Sequence, residues 1–251
     1  MGEAFGAGIL TKSPKTPLFV LEKVEALRQK ALKLGAKIVD NLQDLISQVD
    51  TVMICIKPQD FSGFLGQLAP FVQGKQVISL AAGVTTASIQ KALNLHNVVR
   101  FMPNLAARTG TCLTGVAAGA GASEEFITEA LEISSAGGSG TLVPERLMAA
   151  VTGISGSGLA FVFEFIHALS MGGVREGLPY PQALDFALAT TEGAVQLLRQ
   201  TKEHPAAMVS KVTSPAGTTI EGIQALEDRN FAAAVMASVS AASRRAQELE
   251  A

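Results

Sequence analysis

Two short segments carry residue types that could do chemistry. Ser214-Pro215-Ala216-Gly217-Thr218-Thr219 reads as the start of a helix. Proline is tolerated where an N–H has no intrahelical partner, and the first-turn N–H groups after it are free. Such a turn binds a carboxylate, and the helix dipole adds to the attraction. Thr218 and Thr219 also read as ordinary N-cap threonines. Cys55-Ile56-Lys57-Pro58 closes an apolar run, Thr51 to Ile56, of the kind a strand buried on both faces requires. Ligands of open α/β sheets sit at that carboxyl edge. Lys57 offers a cation to a phosphate, or is a solvated strand-end lysine. Ala81-Ala82-Gly83 closes the next apolar run, where small side chains let a ligand approach or merely permit a tight turn. An earlier strand ends in Leu21-Glu22-Lys23. An acid there would hydrogen-bond a ribose 2′-hydroxyl and a base would pair with a 2′-phosphate, so Glu22 and Lys23 pull opposite ways.

Other constellations fall away. Gly153-Ile154-Ser155-Gly156-Ser157-Gly158 fails as a nucleophile elbow, because the fifth residue of G-x-S-x-G is Ser157 and no strand precedes it. Ser155 and Ser157 read as caps. His96, His167 and His204 have no metal-ligand spacing, so no metal is expected. Cys55 and Cys112 make no disulfide framework and fit a reducing cytoplasm.

The elements that must position these residues follow from the pattern. Strands are predicted at 17–21, 36–39, 51–56, 76–80, 97–102, 112–119 and 141–143. Helices are predicted at 22–34, 42–47, 61–71, 86–95 and 123–135. Strands alternating with helices imply a parallel sheet. After Pro144 only helices follow, at 145–151, 159–171, 181–200, 206–211, 218–226 and 230–249. That composition shift sets the boundary between an α/β domain, residues 1–144, and an all-α domain, residues 145–251.

The 251 residues carry 20 Lys plus Arg against 22 Asp plus Glu, a formal charge of −2. That balance argues against a nucleic-acid or anionic-membrane partner. The longest uncharged stretch, Leu147 to Phe163, is broken by Thr152, Gly153, Ser155, Gly156, Ser157 and Gly158, so no membrane span is expected. An α/β domain normally opens on a strand, but Met1 to Phe5 reads as the start of a helix. Gly2 then stands as the third glycine of a G-x-G-x-x-G fingerprint whose first strand and first two glycines are missing, which predicts impaired folding or cofactor affinity. Gly6-Ala7-Gly8 is no substitute, with Thr11 at its third glycine position; it reads as small residues packing a helix on a sheet.

Six segments in register, from Met1 to about Leu249, resemble the pyrroline-5-carboxylate reductase family. They are Ile54 to Gln59, Ser79 to Val84, Arg100 to Asn104, Val151 to Gly158, Gly172 to Pro179 and Val212 to Thr219. The resemblance implies a Rossmann-like parallel sheet domain lacking its first strand, then an all-α dimerisation domain. It implies reduction of 1-pyrroline-5-carboxylate to proline by NADPH or NADH, in a cytoplasmic homodimer or ring of dimers. By resemblance Gly2, Asn41, Cys55, Ile56, Lys57, Pro58, Ala81, Ala82 and Gly83 line the cofactor. Asn41 also reads as a turn asparagine after Asp40. Ser214, Gly217, Thr218 and Thr219 hold the substrate carboxylate, with the Thr219 hydroxyl near the ring nitrogen. Two residues depart from the family pattern: Ala216 replaces a glycine, and Leu159 replaces a proline. Competing expectations are another Rossmann-type imine or hydroxy-acid reductase, using Lys202, His204 or Lys211 as acid, and an inactive truncated paralogue that only dimerises.

Overall fold

The apolar runs of the first half become strands because they alternate between two cores. In this computed structural model, which describes residues 1–250 and Pro58 by its backbone alone, the elements are as follows. The first part runs α1 (Gly2–Lys12), β1 (Phe19–Val20), α2 (Glu25–Lys33), β2 (Lys37–Ile38), α3 (Leu42–Ser47), β3 (Thr51–Ile54) and α4 (Pro58–Leu68). It continues with β4 (Gln76–Ser79), α5 (Thr86–Leu93), β5 (Val98–Met102), β6 (Cys112–Ala118), α6 (Glu124–Ser134) and β7 (Gly138–Leu142). The helical part is α7 (Met148–Val151), α8 (Gly158–Arg175), α9 (Tyr180–Thr201), α10 (Pro205–Val212), α11 (Thr218–Glu227) and α12 (Phe231–Glu250).

β3 to β7 form one sheet in chain order. Val52, Ile54, Val77 and Val98 face one cluster with Phe61, Leu68 and Ile89. Their neighbours Ile78, Val99 and Phe101 face the other, with Phe5 and Phe126. That period of two is what a strand covered on both faces requires. β3, β4 and β5 are parallel, and so are β6 and β7. One pairing departs from the expected parallel pattern: β6 runs antiparallel to β5. The link between them holds only a 3-10 turn, Leu105–Thr109, which is too short for the crossover that a parallel return needs.

β1 and β2 form a separate parallel pair. The break in hydrogen bonding therefore falls between β1 and β3, where the doubly wound order 3-2-1-4-5-6 puts its first strand. Helix α1 sits by close approach: a Cβ on Gly8 would overlap the Ala136 carbonyl. Phe5 beside it is fully buried, 6.0 Å centroid to centroid from Phe101.

The chain divides into two compact units: Met1–Gly156 with the chain from Ser240 on, and Ser157–Val239. The sequence boundary at Pro144 lies before this division. Met148 and Ala149 are buried, and Val151 fills the space that Gly115 of β6 leaves. In the helical unit, Gly173 of α8 gives room to Ala183 of α9, and Phe165 lies 6.2 Å from Phe231. Much apolar surface there faces outward, including Phe163, Phe186 and Met236. One described helical run, Glu145–Arg175, is long and apolar enough to cross a membrane by length and composition alone, a test that the core helix of a soluble protein also passes. Of the residues expected to break the stretch, Thr152, Gly153, Ser155 and Gly156 lie in a π-helical turn within it.

Candidate active site

β3, β4 and β5 deliver three loops to one carboxyl edge. Leu80 donates its N–H to the Ile54 carbonyl at 3.0 Å, so Cys55 and the Ala81–Gly83 turn lie side by side. The start of α1 arrives at the same edge: a Cβ on Gly2 would stand 3.2 Å from Cys55 Cβ and 3.4 Å from its Sγ. The free first-turn N–H groups of α1 are thus at the strand ends, the arrangement that holds a pyrophosphate. Cys55 is exposed, and Ile56 packs its side chain into the core beneath. Lys57 is the N-cap of α4, exposed and without an ion pair among the described residues. Pro58 is the first residue of that helix, where its missing N–H costs nothing.

Ala81 is buried, and its N–H donates to Ser79 Oγ at 3.2 Å. Ala82 is exposed. Gly83 needs to be glycine twice over. Its φ is +75°, and a Cβ would stand 2.8 Å from the Leu249 carbonyl oxygen. Asn41 caps α3 instead of pointing free: its Oδ1 accepts from the Asp44 N–H at 2.8 Å and its Nδ2 donates to Asp44 Oδ2 at 2.7 Å. Asn104 also caps, accepting from the Ala106 N–H, and its Nδ2 donates to the carbonyl and Oγ of Ser155. That bond gives Ser155 a structural partner, in keeping with its failure as a nucleophile.

Sequence reasoning missed one group of residues. Arg100 of β5 is 4% exposed and pairs with Glu145 at 2.9 Å and Glu250 at 2.8 Å. Glu145 also accepts from the Thr86 N–H at 2.7 Å and the Thr86 hydroxyl at 2.5 Å. Burial pushes the Glu145 carboxyl pKa up, but the Thr86 hydrogen bonds and the Arg100 guanidinium outweigh it and hold the pKa below the usual carboxylate range. This network anchors the first turn of α5, directly after the Gly83 turn. Its signal was present: an arginine inside Val98-Val99-Arg100-Phe101 demands buried partners.

In the helical unit, Gly217 is the N-cap of α11 and no side chain bonds to the cap. The Thr218 and Thr219 hydroxyls have no hydrogen-bond partner among the described residues, so neither threonine acts as the cap. Thr219 is half-buried; Thr218 and Ser214 are exposed. Gly217 closes a turn onto the Ser214 carbonyl at 3.1 Å, and a Cβ there would overlap Ser214 Oγ. Ala216 adopts φ +55°, the left-handed conformation that favours glycine and costs alanine about 1 kcal/mol. The segment presents free N–H groups and two free hydroxyls.

An open α/β sheet with helix starts and small-residue turns at its carboxyl edge, followed by a helix-only unit, defines a dinucleotide-dependent oxidoreductase with a helical dimerisation domain. Residues 1–83 match the family described as NADP oxidoreductase coenzyme F420-dependent. Residues 145–249 match pyrroline-5-carboxylate reductase dimerisation. The pyrroline-5-carboxylate reductase of Methanosarcina acetivorans is 42% identical over 225 residues, 89% of this chain and 83% of that protein. The chain belongs to the pyrroline-5-carboxylate reductase family. The Coxiella burnetii pyrroline-5-carboxylate reductase structure superposes with a TM-score of 0.93 at 26% identity, covering 100% of this chain and 95% of that one. The Plasmodium falciparum pyrroline carboxylate reductase structure, with NADP bound, gives 0.88 at 23% identity over 100% and 95%, a likeness of fold.

Proposed function

We propose that this chain reduces 1-pyrroline-5-carboxylate to L-proline with NADPH or NADH. The observation that carries the reading is the start of α11. Gly217 leaves the first-turn N–H groups free, and the Thr218 and Thr219 hydroxyls stand unbonded beside them. A carboxylate is the ligand such a turn favours.

The reduced nicotinamide supplies the hydride when bound. Gly2, Cys55, Ile56, Lys57 and Pro58 hold the dinucleotide through helix-start N–H groups and the Lys57 charge. Ala81, Ala82 and Gly83 would keep side chains out of the nicotinamide's way, and Asn41, its amide bound to Asp44, would border the adenosine part as the cap of α3. Ser214, Gly217 and Thr218 hold the substrate carboxylate, and the Thr219 hydroxyl orients the ring nitrogen. Hydride adds to the C=N carbon, and the nitrogen keeps its proton. A protonated imine is already electrophilic, so no strong acid is needed at transfer, and orientation is the protein's main contribution. Residues 1–144 bind the dinucleotide; residues 145–251 bind substrate and dimerise. The working unit is a cytoplasmic homodimer or ring of dimers without nucleic-acid or membrane partners. The outward apolar faces of α8 and α9 support dimer formation.

Thr219→Ala tests the assignment. Reduced-nicotinamide oxidation with 1-pyrroline-5-carboxylate should lose about 10- to 100-fold in kcat/KM, the worth of one hydrogen bond to a charged group. An unchanged kcat/KM would remove Thr219 from the site.

A further inference from the structure

In doubly wound sheets an acid or a base at the corner after the ribose-reading strand decides between the two dinucleotides, and here that corner follows β1. Glu22 lies two residues past the end of β1 and twenty past Gly2, the place where doubly wound sheets meet the adenosine ribose. Its Oε1 accepts from the Lys23 N–H at 2.7 Å and the Val24 N–H at 2.9 Å. Those bonds fix the carboxylate at the head of α2. Oε2 has no partner among the described residues and stays open to a hydroxyl donor.

The cation that could answer a 2′-phosphate is engaged elsewhere. Arg28 Nη2 donates to Asp40 Oδ1 at 2.6 Å, Nε lies 3.5 Å from Glu25 Oε2, and Nη1 donates to the Glu22 carbonyl at 3.3 Å. Lys37, on the paired strand, is drawn over the Phe19 ring at 5.3 Å. Exposed Lys23 is the remaining cation of the loop, beside Glu22. Asn41 binds Asp44. Of the three cations at this corner, Arg28 and Lys37 are thus engaged, and Lys23 alone stands beside the Glu22 carboxylate.

From this arrangement we propose that Glu22 is a specificity-determining residue that selects NADH over NADPH, accepting from the ribose 2′-hydroxyl and repelling a 2′-phosphate. The proposal rests on the dinucleotide-dependent reading above. It concerns the adenosine end alone and is independent of the substrate.

Calorimetric titration of the full chain with NADH and with NADPH tests it. NADH should bind about tenfold more tightly, a difference of about 1.4 kcal/mol. Glu22→Gln keeps an acceptor for the two N–H groups and removes the charge. It should strengthen NADPH about tenfold and weaken NADH about threefold. Asp40→Asn, which releases Arg28, should also strengthen NADPH, and it decides the matter if the Glu22 variant fails to fold. Equal or tighter NADPH binding by the unmodified chain overturns the proposal, as does an unmoved ratio in Glu22→Gln. Failure to bind either nucleotide overturns it together with the dinucleotide reading. The NADH preference without turnover of 1-pyrroline-5-carboxylate supports it while removing the substrate assignment.

Discussion

Arg100 shows what a single charge costs inside a strand covered on both faces. Its guanidinium is almost wholly out of water, and the two glutamates make that tolerable. Glu145 carries the pH dependence. Its folded pKa is depressed, so its contribution to stability is full above the unfolded carboxylate value and lost as pH falls through the folded one. Urea midpoints measured from about pH 6 to about pH 3 should fall more steeply for the unmodified protein than for Glu145→Gln. The variant should be the less stable of the two at neutral pH, because Arg100 then keeps one counter-charge. Parallel curves would show that the network does not couple to protons. Sequence reading stopped short of this network for a physical reason. Arg100 and Glu145 are 45 residues apart and Arg100 and Glu250 are 150 apart, and no local pattern joins charges at that range. The Ala81–Gly83 turn was legible because small residues at a strand end have few other uses.

At the scale of elements, close approach of α1 to the turn Ser135–Gly137 depends on Gly8 having no side chain. Gly8→Ala should lower the chemical-denaturation midpoint by the equivalent of about 1–3 kcal/mol, because the helix must lift from the backbone it rests on. A midpoint unchanged from the unmodified protein would mean that α1 shifts freely. Most elements were readable because local signals agreed with tertiary ones. Asn41 and Thr85 cap the helices that their positions announce, so α3 and α5 begin where the sequence puts them. α2 begins at Glu25, later than expected, because the Glu22 carboxylate folds back onto the Lys23 and Val24 N–H groups and holds that turn out of the helix. The direction of β6 was not readable. An apolar run looks the same in either direction, and only the length of the link before it tells them apart.

For the whole molecule, the helical unit has more apolar surface than its own helices can cover. Phe186 is 64% exposed and Met236 65%, alongside Phe163 of α8. Patches of that kind are covered in assemblies. Phe186→Asp should lower the mass measured by sedimentation to that of a smaller assembly while leaving the circular dichroism helical. An unchanged mass would place the subunit contact elsewhere. The ion pair between Arg100 and Glu250 also sets an order of events during translation. β5 leaves the ribosome with its arginine unmatched; Glu145 reaches it first, and Glu250 only once α12 has been made. From then until α12 is made the arginine has Glu145 as its one partner, and a ribosome stalled before α12 would display a charge-balanced pair whose second carboxylate is still to come.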